Sequence, residues 1–362
     1  MRKLVFSKTT RILHLSFALL IVLAYLSSEF DEKIWIHAAF GIAAFGVVMI
    51  RFFWFYFGEQ AVKFNTFDLS FNSLKLYMLD YFRYKENKLR NPATSFGIIF
   101  IWISAILTIF FGLLFIGSKY GSGLFWFVYN TNIDSHLLKE LHGVFGNLLI
   151  ITAGIHVLGV LGESYLKKTE IFKTMYNGKI QTNIQLKEPS KFSNSTLFAG
   201  FVGLIIIGFF SYLAINKNNI FLNSENIHTD FSKIMPVSYS ECKECHMFYP
   251  PNITNKGSQM IILANLSDHF GTDASLDSNI LEKIKAEVEK FAPESTKIKL
   301  EGDSKFLAIN ESITNTKLWK RKHKEFDNQW FVEHKIKKTD CKSCHTKIEN
   351  GSLSPFEIKV DH

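Results

Sequence analysis

The sequence predicts an all-α protein: a bundle of membrane-spanning helices followed by a small, mostly helical domain outside the membrane. Three observations predict it. Five stretches are apolar enough to cross a bilayer, the chain turns polar beyond about residue 217, and all four cysteines fall in two Cys-x-x-Cys-His pentapeptides. With 47% hydrophobic and 20% charged residues over 362 positions and a mean hydropathy of +0.09, the chain is too apolar for water alone and too polar for lipid alone. Disordered, collagen-like and small disulfide-rich classes are excluded. Its 36 Phe must lie in lipid or against flat ligands.

A spanning helix needs about 20 mostly apolar residues, because in hydrocarbon the backbone must satisfy its own hydrogen bonds. The stretches are 12–26, 34–56, 96–116, 137–161 and 197–213. Met1-Arg2-Lys3 ahead of an apolar run has the outline of a signal peptide. Arg11 and His14 interrupt that run and no small-x-small cleavage site follows, so it reads as a retained first span.

Orientation follows from the basic loops. Lys and Arg crowd the N-terminus (Arg2, Lys3, Lys8, Arg11), the second connection (Lys75, Arg83, Lys85, Lys88, Arg90) and the segment after the fourth span (Lys167, Lys168, Lys173, Lys179, Lys187, Lys191), whereas loops 27–33 and 117–135 hold one Lys each. The positive-inside rule then makes the N-terminus cytoplasmic and puts the tail on the outer side. Much of the net charge of +8, with a pI near 9.1, is therefore a topology signal, and nucleic acid is not an expected partner. The expected domains are a membrane bundle at 1–180, a cytoplasmic linker with the fifth span at 181–216, and an outer domain at 217–362. No internal repeat is visible at solenoid periods.

The tail is polar, with one good helical segment near 275–291 and few apolar residues for its size, so it needs a staple. In Cys242-Lys-Glu-Cys245-His246 and Cys341-Lys-Ser-Cys344-His345 the two thiols can add across the vinyl groups of haem, the adjacent His serving as proximal iron ligand. A zinc site or a redox disulfide would leave the His after each pair unexplained. A sixth ligand could come from His228, His269, His323, His334 or His362, or from Met247 or Met260, and spacing does not choose among them. Bis-His ligation gives lower potentials than Met/His.

The run Cys242-Lys-Glu-Cys245-His246-Met247-Phe-Tyr-Pro250-Pro251, then Leu266-Ser-Asp-His269-Phe270-Gly271, Ala274-Ser-Leu276, Trp319-Lys-Arg-Lys-His323 and the second pentapeptide, resembles the dihaem cytochrome c family of bacterial electron-transfer chains. The resemblance covers roughly 238–360. It implies a small helical domain with two bis-His haems, His269 and His323 taking the distal positions, with His334 as a competitor to His323.

Ionisable residues inside spans are expensive and functional by default. His14 lies near the cytoplasmic start of span one, His37 near the outer start of span two, and His142 and His156 near the outer and inner ends of span four. The 14 residues from His142 to His156 are about 21 Å of helix rise and within about 40° of one face, so one helix can serve two stacked haems. Depth pairs His14 with His156 and His37 with His142. No Cys lies nearby, so these are expected to be two non-covalent b-type haems beside two covalent c-type haems. His136 has no partner at its depth. Arg51, at the inner end of span two, is suited to haem propionates or a quinone head group, or simply obeys the positive-inside rule.

His37-Ala-Ala-Phe-Gly41, Arg51-Phe-Phe-Trp54, Gly58, Glu140-Leu-His142, Asn147, His156-Val-Leu-Gly159-Val160 and Met175-Tyr-Asn-Gly178-Lys179 resemble the bacterial cytochrome b561 and nickel-iron hydrogenase b-type cytochrome family over about 10–180. That resemblance implies a four-helix, quinone-linked core with two haems. The expectation is a bacterial inner-membrane electron conduit between the quinone pool and a periplasmic donor or acceptor, the chemistry residing in the cofactors. Rival expectations are a superoxide-oxidising enzyme with a basic funnel (Lys33, Lys119, Lys139), a membrane anchor for a periplasmic hydrogenase-like enzyme, and a non-redox haem sensor.

Overall fold

The computed structural model describes residues 2–29, 34–81, 89–131, 133–181, 185–224, 228–296, 300 and 308–359; Lys33, Arg83, Lys85, Lys88 and His362 lie outside the described residues. Among the described residues five helices are long and apolar enough to cross a membrane: α1 (Lys8–Ser27), α2 (Ile34–Phe57), α4 (Pro92–Tyr120), α5 (Ser135–Leu166) and α7 (Thr196–Ile215). Two short helices, α3 (Phe71–Leu79) and α6 (Ile171–Asn177), follow α2 and α5. The long helices begin where side chains satisfy their free N–H groups: Ser7 accepts from Thr10 N, Asn91 from Thr94 N, Asp134 from His136 N and Ser195 from Phe198 N.

The chain divides into two compact units, 1–115 with 134–219, and 116–133 with 220–362. In the first, α2 packs against α1 and α7. The buried face of α2 is built from Ala39, Ile42, Ala43, Ala44, Val47 and Val48, and its small residues let helix backbones approach closely. Phe53, Ile151, Ile155 and Leu158 are among the apolar residues left outward, as lipid requires. A short antiparallel ribbon joins β1 (Arg2–Leu4) to β2 (Lys179–Gln181), Lys3 opposite Ile180. Gly178 makes the turn possible at φ +76°, where a Cβ would sit 2.5 Å from the Phe6 carbonyl oxygen.

The second unit holds α8 (Phe231–Ile234), α9 (Pro236–Cys242), α10 (Lys256–Ala264), α11 (Ser278–Phe291), α12 (Lys317–Lys322) and α13 (Asn328–Glu333). Its core is small: Phe231, Met235, Phe248, Ile284, Val288 and Ala292. The loop after α4 belongs to this unit. Gly123 N donates to Asn223 O at 2.7 Å, and Ser122 Oγ to Ser354 Oγ at 3.2 Å.

Candidate functional site

His37, in the first turn of α2, and His142, in α5, face each other with ring centroids 5.8 Å apart. His37 Nδ1 bonds the Ala24 carbonyl at the end of α1 (2.7 Å), and His142 Nδ1 the Thr108 carbonyl of α4 (2.8 Å). A proton on each Nδ1 leaves each Nε2 lone pair for a metal. An iron between two imidazoles, at about 2 Å from each nitrogen and about 1.1 Å further to each ring centre, separates the centroids by about 6 Å. The observed spacing fits it. One turn below His37, a Cβ built on Gly41 meets nothing within 4 Å, which leaves room beside the ligand for a flat group.

His14 on α1 and His156 on α5 are electrostatic neighbours, with Arg51 close to His14. His14 Nδ1 and Arg51 Nη1 are both shut off from solvent without a hydrogen-bond partner, which suits a site completed by an acidic ligand group such as a propionate. Beside them Glu59 accepts from Ser7 N (2.9 Å), Ser7 Oγ (3.1 Å) and Thr10 Oγ1 (2.6 Å), and Trp54 Nε1 donates to Thr10 Oγ1 (2.9 Å). Arg90 is held by Thr66 Oγ1 and by the Ala61 carbonyl (2.8 Å), its guanidinium lying over Phe6 and Phe67. Neither Glu59 nor Arg90 was expected at a site. The only sequence signal was a lone acid directly after an apolar span in a basic flank.

In the second unit, Cys242 ends α9. Glu287 of α11 secures the start of that helix, accepting from Val237 N (3.1 Å), Ser238 N (2.8 Å) and Ser238 Oγ (2.5 Å). The His246 and His269 rings are 6.1 Å apart and nearly parallel, at 20°. His246 Nδ1 bonds the Met247 carbonyl (2.6 Å). Phe270 at φ +55° and Gly271 at φ +90° form the tight turn that presents His269.

At the other pentapeptide, a single turn brings His345 N to the Cys341 carbonyl (2.7 Å). His323, at the end of α12, faces His345 at 6.1 Å, stacks on Trp319 and bonds the Trp319 carbonyl through Nδ1 (2.9 Å). His334 stacks instead on Trp330 and is exposed. His228 lies by Glu357, and Met260 packs on the core. Lys119 lies by the Tyr120 ring.

Burial and then His323 push the His345 imidazole down to about 4; burial lowers His323 and His269, the latter also through His246. All three are neutral donors at neutral pH. Burial, then Glu241 and Glu287, push the Cys242 thiol up to about 11, and burial raises Cys341. Thioether formation would remove these ionisations altogether. Polar joints link the pentapeptide regions, among them Asn252 Nδ2 donating to the Gly351 carbonyl (2.6 Å). Tyr249, its ring 5.1 Å from His246, donates to the Thr339 carbonyl (2.6 Å), and Glu349 accepts from Phe248 N (3.3 Å) and pairs with Lys243 and Lys342.

Residues 5–178 match the family model described as prokaryotic cytochrome b561, and residues 238–353 that of dihaem cytochrome c. A crystal structure of DHC purified from Rhodobacter sphaeroides is similar at 29% identity, covering 33% of this chain and 96% of that one, with a TM-score of 0.26. No curated protein matches the chain.

Proposed function

Because the chain joins a prokaryotic cytochrome b561 region to a dihaem cytochrome c region, and is thereby a multi-pass membrane electron-transfer cytochrome, we propose that it passes electrons between the quinone pool and a periplasmic redox protein. The carrying observation is that three histidine pairs, His37 with His142, His246 with His269 and His323 with His345, stand about one six-coordinate iron apart. In this proposal His37 and His142 hold the periplasmic-side b-type haem, and His14 and His156 the cytoplasmic-side one. Cys242, Cys245, Cys341 and Cys344 anchor two c-type haems, with His246 and His345 proximal and His269 and His323 distal.

Haem iron supplies reversible one-electron transfer; the protein supplies ligands, burial and orientation. Along α5 the two ligating positions are separated by about 21 Å, enough to serve both sides of a bilayer whose apolar core is about 30 Å thick. The unpartnered Arg51 Nη1 supports contact with a propionate or a quinone oxygen on the cytoplasmic side. The loop charges support an inner-membrane orientation with residues 217–362 in the periplasm and 181–216 as linker and fifth span.

The test is reduction in native membranes. A quinol should reduce b- and c-type haem together, and a pyridine haemochrome spectrum should give them in about equal amounts. Haem c alone would sink the intramembrane assignment, and haems that quinol leaves oxidised would sink the quinone link.

A further inference from the structure

The outer region is nearly neutral, with 20 basic and 21 acidic side chains over 218–362, but the two signs are segregated. Residues 238–296, around His246 and His269, carry 9 acids against 5 bases. Residues 317–347, around His323 and His345, carry 10 bases against 4 acids. Every one of those 10 bases except Lys347 is exposed.

A charge run is ordinarily only a solvated face, so what the charges surround decides the matter. Lys320, Arg321, Lys324, Lys335 and Lys337 make no ion pair among the described residues. Three of the four neighbouring acids are engaged locally: Asp327 accepts from Trp330 N, Glu333 from Gln329 Nε2 and Asp340 from Ser343 Oγ. His323 sits at the end of α12, inside the run Lys320-Arg321-Lys322-His323-Lys324. Beside it α13 presents an apolar centre: Val332 is 76% exposed, and the exposed His334 ring lies flat on Trp330 at 4.1 Å. An uncompensated basic rim around a small apolar centre has the anatomy of a weak, transient electron-transfer interface.

We propose that the α12–α13 face beside His323 is the docking surface for an acidic electron-carrier protein, so that the His323/His345 site is the one that exchanges electrons with the soluble partner. The inference rests on the electron-transfer function proposed above. An anionic lipid surface is the weaker occupant, because α12 and α13 have six residues each and offer one exposed aliphatic side chain rather than the long apolar face by which amphipathic helices enter lipid.

The full-length protein, reduced in detergent, is mixed with ferricyanide or with tris(phenanthroline)cobalt(III); each takes one electron, giving ferrocyanide or the cobalt(II) complex and reoxidised protein. Electrostatic attraction to this face predicts a ferricyanide rate that falls about tenfold as salt rises from about 0.01 M to about 0.5 M, with no such fall for the cationic complex. The triple variant Lys320→Glu, Arg321→Glu, Lys324→Glu should react about tenfold more slowly with ferricyanide and lose the salt dependence. The same charge change on α11, Lys283→Glu, Lys285→Glu, Lys290→Glu, should leave the rate within about twofold. Polyglutamate should slow the oxidation of the unmodified protein but not of the α12 variant.

Equal slowing by both triple variants, faster reaction with the cationic complex, or inhibition by phosphatidylglycerol vesicles but not by polyglutamate would overturn the proposal. Covalent haem staining checks folding of each variant, and Lys335→Glu with Lys337→Glu must reproduce the effect. Failure of the electron-transfer reading itself would appear earlier, as an absence of reducible c-type haem in the unmodified protein.

Discussion

Gly112 is the most demanding position around the proposed outer intramembrane site. A Cβ placed there would lie 2.8 Å from His142 Nδ1 and 3.0 Å from its Cε1. Ordinary contact begins near 3.4 Å, so Gly112→Ala must drive the ring back by about 0.6 Å. That displacement would stretch the 2.8 Å bond from Nδ1 to the Thr108 carbonyl to the limit of hydrogen bonding, forfeiting about 1 kcal/mol. The larger effect falls on the metal: ligand distances tolerate about 0.2 Å, and loss of an orienting bond alone costs about 10–100-fold in affinity. The expected outcome is a protein that folds, keeps its c-type haem and loses about half its b-type haem, the haemochrome ratio of b to c falling from about 1 to about 0.5. Gly208→Ala on α7, where a Cβ meets nothing within 4 Å, should leave the ratio unchanged. An unaltered ratio with an unaltered midpoint potential in Gly112→Ala would refute both the ligand role of His142 and the reasoning from contact distance.

Three further outcomes are expected. His156→Ala, like His14→Ala, should remove one b-type haem and leave covalent haem staining intact; retention of both b-type haems in each variant would break the inner pairing. His269→Met should raise the midpoint potential of one c-type haem by on the order of 100 mV in a redox titration, and an unmoved potential would transfer the distal role elsewhere. Glu349 is pushed up by burial but held below the usual carboxylate range overall by Lys342, Phe248 N and Lys243. Its contribution is therefore complete above the ordinary value near 4.5 and is lost as pH falls through the lowered folded value. Glu349→Gln should lower stability at pH 7 by about 1.5–3 kcal/mol, with a smaller deficit at acid pH, both read from thermal melts of the Soret band. An equal deficit at both values would contradict the ion-pair account.

The spans were legible because a bilayer imposes a length and a composition that survive without tertiary information. Their ends were not: α4 extends to Pro92–Tyr120 and α5 to Ser135–Leu166, since Asn91 and Asp134 cap beyond the apolar windows 96–116 and 137–161. The histidines stood out as costly residues at matching depths. Less visible was Glu59, whose partners Ser7 and Thr10, at the start of α1, are 52 and 49 residues away in sequence. The ribbon joining Arg2–Leu4 to Lys179–Gln181 has strands of three residues, too short for any periodic signal. The loop 117–135 read as a simple external connection. Its grouping with the tail depends on main-chain pairing of Gly123 with Asn223 and on the close approach to Phe221 that only a glycine at φ +71° permits.

One feature of the histidine sites could not have been read from residue types at all, because the partners that orient the rings are backbone carbonyls. His37 uses Ala24 in the last turn of α1, whose oxygen also accepts from Ser27 Oγ (2.9 Å) while the following amide, Ser28 N, donates to Tyr25 O. His323 uses Trp319, four residues back in α12, whose carbonyl also accepts the His323 N–H that closes the helix (2.9 Å). His142 uses Thr108 inside α4, where the carbonyl belongs to the ladder already, and there the extra approach requires a residue without a side chain at Gly112. Where the acceptor lies in a helix's last turn, as for His37, or in the ring's own turn, as for His323, the sequence needs only the histidine. Where the acceptor sits in the middle of a neighbouring helix, as for His142, the sequence must also clear the space, and Gly112, one turn from Thr108, clears it.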